Sequence, residues 1–279
     1  MAYQRILTIQ DISCVGQCSL TAALPILSAC GHETAVLPTA VLSTHTGRFQ
    51  GYTFRDLTDD IPAICAHWAR EGLDFSAVYT GYLASARQIA LVRDAIRSRL
   101  RPGGLLVVDP AMADDGRLYS GLDAEHAAAM RTLCAEADHI LPNVTEAALL
   151  AGLPYRETLD RAYAETLAAG AAARAGQTVL LTGVSFCEGE TGVLLWRDGK
   201  SVYYAHEKQP GCGYGTGDVF AAAFTGALLR GMEAEGAMRL AADYTARCAA
   251  RTARDPAHWY GLKFEPELPW LIRRLEERE

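Results

Sequence analysis

Short runs rich in Val, Ile and Leu alternate with longer helical patterns along nearly the whole chain, and this rhythm restricts the fold more than any other feature. Strand-like runs lie at Arg5–Gln10, Thr34–Val41, Ala77–Tyr82, Leu105–Asp109, His139–Leu141, Thr178–Thr182, Gly192–Trp196 and Val202–Ala205. Several show little polar alternation, as expected of strands covered on both faces. Helical patterns fall near 18–30, 56–71, 85–100, 123–136, 144–151, 158–175, 217–230, 234–252 and 267–278. The βαβα order predicts an α/β fold of three layers, α/β/α, with a central mostly parallel sheet. Arg197-Asp-Gly-Lys200 is a turn signal and predicts an antiparallel hairpin late in the chain. No linker, repeat or low-complexity segment interrupts the pattern, so residues 1–279 read as one domain.

A chain that is 50% hydrophobic and 21% charged can fill the core such a fold needs. Its formal charge of −7 argues against a general grip on nucleic acid or on an anionic membrane. A local nest of backbone N–H groups can still hold phosphate within an acidic protein. No export signal and no apolar run of membrane-spanning length are present, so a cytoplasmic protein is expected. Eight scattered cysteines without a C-x-x-C pair read as free thiols, mostly small core residues. Cys14 and Cys18 have the spacing of one helix face and are read as packing residues, and Cys212 is the one thiol placed to meet an aldehyde ligand.

Ligands of open parallel sheets bind beyond the carboxyl ends of the strands. Polar clusters stand at those ends one after another: Gln10-Asp11, Ser43-Thr-His-Thr-Gly47, Thr80-Gly-Tyr82, Asp109-Pro110, Asn143–Glu146 and Thr182-Gly183. The strongest local signal is Gly211-Cys-Gly-Tyr-Gly-Thr-Gly-Asp218, which runs into the apolar helix Val219–Leu229. Glycines let the chain turn tightly and bring N–H groups to a ligand, and a helix N-terminus favours an anion. Asp218 in that first turn can take a proton from a substrate hydroxyl while Gly215, Thr216 and Gly217 stabilise the transferring phosphoryl group. A plain N-cap would also fit this segment. The dinucleotide fingerprint G-x-G-x-x-G fails here, because its last glycine would be Thr216 or Asp218. Gly199-Lys-Ser201 is no P-loop, since Leu194 stands where the first glycine belongs.

Asp109-Pro-Ala-Met-Ala-Asp114 closes a buried strand with two carboxylates that could hold Mg²⁺ directly or through water. The polar stretch after it, 115–121, reads as a flap, and Asp-Pro is also an ordinary turn opener. Leu141-Pro-Asn-Val-Thr-Glu146 fits either a capping box or a pair, Asn143 and Glu146, facing metal and phosphates. His45 sits in a Ser/Thr/Gly-rich loop where it could hydrogen-bond a substrate, and the seven histidines show no zinc-ligand spacing.

Taken together these segments resemble the pyridoxal kinases of the ribokinase-like superfamily, from Ile6 to about Arg251. The carrying residues are Thr8-Ile-Gln, Leu42-Ser-Thr-His-Thr-Gly47, Thr80-Gly-Tyr82, Asp109–Asp114, Pro142–Glu146 and Gly215-Thr-Gly-Asp218, in matching order and spacing. The variant running from Leu37 to Gly47 is most similar to bacterial proteins called pyridoxamine kinases. The resemblance implies ATP-dependent phosphorylation of the 5′-hydroxymethyl group of a B6 vitamer. Asp218 would be the base, and Gly215, Thr216 and Gly217 the anion hole. Asp109, Asp114 and Glu146 would belong to the Mg²⁺–ATP region, Asn143 and Thr182 would lie near the phosphates, and Tyr119 would sit on a flap over ATP. His45, Thr46 and Tyr82 would line the pyridine pocket. The resemblance further implies a homodimer and a monovalent cation such as K⁺. Asp11 departs from the pattern, standing where better-known members carry a serine that meets the substrate ring. A carboxylate there suits a protonated or amino-bearing ring and leaves room for a hydroxymethylpyrimidine kinase; a non-catalytic vitamer-binding protein is the alternative from another class.

Overall fold

The structure, a computed structural model, describes residues 4–211 and 213–277; the reading of Cys212 as a reactive thiol lies outside the described residues. The strands are β1 (Arg5–Ser13), β2 (Glu33–Leu42), β3 (Phe54–Asp56), β4 (Phe75–Thr80), β5 (Leu100–Val108), β6 (Ala113–Asp114), β7 (Arg117–Leu118), β8 (His139–Ile140), β9 (Thr178–Val184), β10 (Glu190–Arg197) and β11 (Lys200–Glu207). The helices are α1 (Leu20–Ala29), α2 (Ile61–Arg70), α3 (Ala86–Arg99), α4 (Ala124–Glu136), α5 (Val144–Ala151), α6 (Arg161–Ala171), α7 (Thr216–Leu229), α8 (Ala234–Thr252) and α9 (Leu268–Glu276). Nine strands form one sheet in the order β11-β10-β9-β8-β5-β4-β1-β2-β3. From β2 to β9 all neighbours are parallel, and β3, β10 and β11 add antiparallel margins. The fold is therefore the expected three-layer α/β/α arrangement.

One core, with Leu7, Ile9, Val78, Val108 and Leu181 from the strands, is covered by α2 to α6. The opposite core, with Ile6, Ala77, Tyr79, Val107 and Leu180, is covered by α1, α7, α8 and α9. Successive strand residues alternate between the two cores, so a strand buried on both faces must be apolar throughout. The β10–β11 hairpin turns at Asp198 and Gly199, both with positive φ (48° and 79°), and pairs Arg197 with Lys200. That is the two-residue turn signalled by Asp-Gly.

Three details differ from the sequence reading. α1 starts at Leu20 rather than 18, because Gln17 and Ser19 adopt φ of 53° and 52° and cannot be helical. Cys14 and Cys18 thus lie in a loop and share no helix face; Cys14 is exposed and Cys18 buried. The 56–71 pattern begins as a 3₁₀ turn at Thr58–Asp60, and Pro62 occupies the first turn of α2, where its missing N–H costs nothing. The start of the 115–121 stretch read as a flap pairs with the end of the Asp109–Asp114 segment, so that 113–118 form the small β6–β7 hairpin.

Candidate active site

At β1 the chain crosses to β2 by way of α1 on one face; between β2 and β4 it crosses back by way of α2 on the other. The loops after β1 and β4 therefore leave in different directions and open a crevice at the carboxyl ends of the parallel strands. Gln10 and Gly81 meet at its floor: a Cβ on residue 81 would lie 2.9 Å from Gln10 Oε1. Asp11 and Thr182 lie near the carboxyl ends of β1 and β9, Tyr82, Asp109 and Asn143 follow β4, β5 and β8 on this rim, and the N-terminus of α7 faces it.

Gly215 is the N-cap of α7, with φ 77°. A Cβ there would stand 2.6 Å from the carbonyl oxygen of Gln17, so only glycine fits both the turn and the close approach. The first hydrogen bond of the helix runs from Val219 N–H to Gly215 O, at 3.0 Å. The N–H groups of Gly215, Thr216, Gly217 and Asp218 therefore have no partner inside the helix and are the natural cradle for an anion. A Cβ at Gly217 would meet only Asp109 Oδ2, at 3.9 Å, which places that carboxylate across from the cradle. Burial raises the Asp218 carboxyl to about 6, against the Ser19 backbone N–H that donates to it, and Asp11 raises it further. Ser19 was not singled out from the sequence. Its unusual backbone (φ 52°, ψ −128°) is what turns its N–H toward Asp218.

Asp109 is 8% exposed, and burial, then Glu146 and Asp218, hold its carboxyl well above the ordinary range. Glu146 is buried and fully occupied: Oε1 accepts from the N–H of Met112 (3.0 Å) and Ala113 (3.4 Å), and Oε2 from that of Asn143 (2.8 Å). Asn143 Oδ1 accepts from the Glu146 N–H at 2.9 Å, completing the capping box, while its Nδ2 donates to Ala113 O at 2.7 Å. Together these bonds clamp the Asp109–Asp114 loop onto α5. Asp114 is exposed, and among the described residues no three His, Cys, Asp or Glu side chains gather as a metal cage. The structure thus does not bring Asp109, Asp114 and Glu146 into one ligand set. Asp114 instead joins Asn143, Thr145, Tyr155 and Thr182 around a cleft of about 150 Å³. Tyr119 is 40% exposed, and its hydroxyl is raised by burial and then by Glu146, Asp114, Asp109 and Asp218, so it looks onto the acidic group from the hairpin side.

On the other rim Asp11 is 4% exposed and accepts from the Ser13 hydroxyl at 2.9 Å and from the Ser19 side chain. Burial raises its carboxyl despite both bonds. Tyr82 is half-buried, and its hydroxyl is raised by burial first and then by Asp11. Thr46 is exposed on the loop after β2. His45 is occupied on both nitrogens: Nδ1 accepts from the Gly47 N–H (3.0 Å), so Nε2 carries the proton given to Tyr260 O (3.0 Å). Burial lowers its pKa, in keeping with a neutral ring. His45 can offer a ligand its ring face but no free nitrogen, unlike the hydrogen-bonding role read from the sequence. Tyr260, on a segment far along the chain, gave no sequence signal of this contact.

A buried carboxylate beside a helix-start anion cradle, in the crevice of an α/β/α sheet, is the arrangement of a small-molecule kinase of the ribokinase-like class. The model of the phosphomethylpyrimidine kinase family matches residues 16–261. Pyridoxal kinase PdxY of Vibrio vulnificus is 30% identical, over 82% of this chain and 80% of its own length. The crystal structure of pyridoxal kinase from Lactobacillus plantarum is 33% identical with a TM-score of 0.91, covering 99% of both chains. A phosphomethylpyrimidine kinase-like protein of Bacteroides thetaiotaomicron, in a crystal form with pyridoxal, is 34% identical with a TM-score of 0.87, covering 98% of this chain and 96% of its own. The chain belongs to the family of phosphomethylpyrimidine and pyridoxal kinases.

Proposed function

We propose that this enzyme transfers the γ-phosphoryl group of ATP to the 5′-hydroxymethyl group of a B6 vitamer, giving the 5′-phosphate and ADP. The observation that carries the reading is Asp218: a carboxylate raised to about 6, at the third position of α7, directly after the Gly215–Gly217 cradle. At neutral pH it is ionised yet basic enough to take the hydroxyl proton as the oxygen attacks phosphorus. The N–H groups of Gly215, Thr216 and Gly217 receive the charge that builds on the phosphoryl oxygens. Asp11 and Tyr82, with the ring face of His45 and with Thr46, form the acceptor side. Asn143, Thr182 and Tyr119 form the nucleotide side.

Mg²⁺ fits this site, because Asp109 is crowded by Glu146 and Asp218 and a divalent cation offsets that repulsion. Asp109 would face the ion together with the nucleotide phosphates, Glu146 would brace the loop that carries it, and Asp114 would lie at the margin. Bound there, Mg²⁺ neutralises phosphate charge. A monovalent cation such as K⁺ would act on the same nucleotide side. We read residues 1–279 as one kinase domain, since one nine-stranded sheet takes in both β1 and β11. No helix among the described residues is long and apolar enough to cross a membrane. A cytoplasmic homodimer completes the reading.

The pyridoxal-named relatives and the pyridoxal-bound Bacteroides neighbour favour a B6 vitamer over hydroxymethylpyrimidine. The base and the acidic cluster argue against a mere binder. The test is ADP release with Mg–ATP on pyridoxal, pyridoxamine, pyridoxine and hydroxymethylpyrimidine, repeated with Asp218→Asn. Turnover on a vitamer, abolished in the variant while ATP still binds, is expected. Turnover on hydroxymethylpyrimidine alone, or near-normal turnover by Asp218→Asn, would overturn the assignment.

A further inference from the structure

The glycine loop carries one large side chain, Tyr214, which neither the anion cradle nor the base requires. Its ring lies over the acceptor loop that follows β2. A Cβ placed on Gly47 would fall 2.2 Å from Tyr214 Cε1, and the three atoms nearest to it all belong to that ring. The same ring sits 5.0 Å, centroid to centroid, from His45. His45 in turn meets Phe49 at 5.0 Å, and Phe49 meets Trp259 at 4.7 Å. The row is anchored at His45, whose Nε2 donates to the Tyr260 carbonyl. Among the described residues, Tyr214 is thus the contact of this row contributed by the phosphate-binding loop.

We propose that Tyr214 is a positioning residue that couples the two substrate sites: an anion seated on the glycine loop fixes Tyr214, and Tyr214 fixes the acceptor loop against His45. The inference rests on the kinase reading above. It follows from where the glycines stand. Gly215, next to Tyr214, is tied to the Gln17 carbonyl by close approach, so the loop has little freedom once its N–H groups hold phosphate. Gly47 has no side chain, which is the condition for the ring to lie flat on the acceptor loop. Coupling of this kind is reciprocal: whatever the nucleotide does to vitamer affinity, the vitamer does to nucleotide affinity.

Gly47 also supplies a direct test, because its φ lies outside the left-handed region and the three atoms nearest an added Cβ all belong to the Tyr214 ring. Dissociation constants of pyridoxal and pyridoxamine are measured by titration calorimetry, with and without a non-hydrolysable ATP analogue, in the unmodified protein and in Tyr214→Ala, Gly47→Ala and the double variant. The unmodified protein is expected to bind vitamer about 5- to 10-fold more tightly with the analogue present, the scale of one or two aromatic contacts. Each single variant loses that ratio, and the double variant loses no more than either, since both remove one contact. Tyr214→Phe keeps the ring and restores the ratio. Thermal melts of all four variants distinguish loss of coupling from loss of fold.

Vitamer binding without any effect of the analogue in the unmodified protein, full coupling in Tyr214→Ala, or additive losses in the double variant would each overturn the proposal. No vitamer binding by the folded unmodified protein, under any condition, would instead overturn the B6 reading on which it rests.

Discussion

Replacing Gly215 by alanine puts the strictest demand on the site geometry. Its φ of 77° lies in the left-handed region, where an L side chain costs about 1–2 kcal/mol. The new Cβ would also stand 2.6 Å from the Gln17 carbonyl oxygen, nearly 1 Å inside ordinary contact, and both atoms are fixed by backbone. Forced overpacking of that kind adds about 1–3 kcal/mol. If the loop holds its place, the sum of about 2–5 kcal/mol appears as lost stability, roughly 5–15 °C in Tm for a chain of this size. If the loop yields, the N–H groups of Thr216 and Gly217 move by a large part of an ångström, and misplacement on that scale costs about 100-fold in rate. Calorimetric melting and steady-state kinetics on the same preparation separate the two routes. Gly217→Ala is the control: its nearest neighbour would be Asp109 Oδ2 at 3.9 Å, so its Tm should stay within about 1–2 °C of the parent. A Gly215→Ala enzyme with both parental Tm and parental kcat would refute the cradle as described.

Four further outcomes are expected. The kcat of the enzyme should fall about tenfold per pH unit below about 6, where Asp218 takes up a proton, and Asp218→Asn should remove that limb. Because its folded pKa is raised above 3.8, the stability linked to Asp218 is fully present below 3.8 and is lost as pH rises through about 6, which denaturant titrations at stepped pH will show. Glu146→Gln turns an NH₂ group toward a backbone N–H now bound to a carboxylate oxygen, and should cost about 1–3 kcal/mol by chemical denaturation. Asp11→Ser should change the ranking of pyridoxal, pyridoxamine and pyridoxine by kcat/KM more than it changes ATP affinity; an unchanged ranking would remove Asp11 from the ring site.

The strand ends were the legible part of this chain. The parallel strands have apolar centres and give way at or just before their carboxyl ends to polar or glycine-rich sequence, so both the layers and the rim of the crevice could be read from local pattern. Asp-Gly at 198–199 and the Asn143–Glu146 spacing likewise state their geometry locally, in a turn and a cap. What stayed hidden depends on distant partners. Glu146 reads as a metal carboxylate until the Met112 and Ala113 N–H groups are seen to occupy it. His45 reads as a ligand residue until Tyr260 and Gly47 claim its nitrogens. Ser19 gives no sign of its positive φ, since serine is not a residue that announces one. β3, β6 and β7, at two or three residues each, are too short for any periodicity to register.

The acceptor rim has a consequence for how the enzyme comes into being. His45 is joined to Tyr260 across 215 positions, His258 to Gln17 across 241, and Gln17 to Glu265 across 248. Loop closures of that span come late in folding, after local helices and neighbouring strands have formed. A chain emerging from the ribosome would hold most of its sheet before the residues that fasten the acceptor loop exist. Regain of catalysis after dilution from denaturant should therefore lag behind regain of helical signal, and competence would mark the last event of assembly rather than the first.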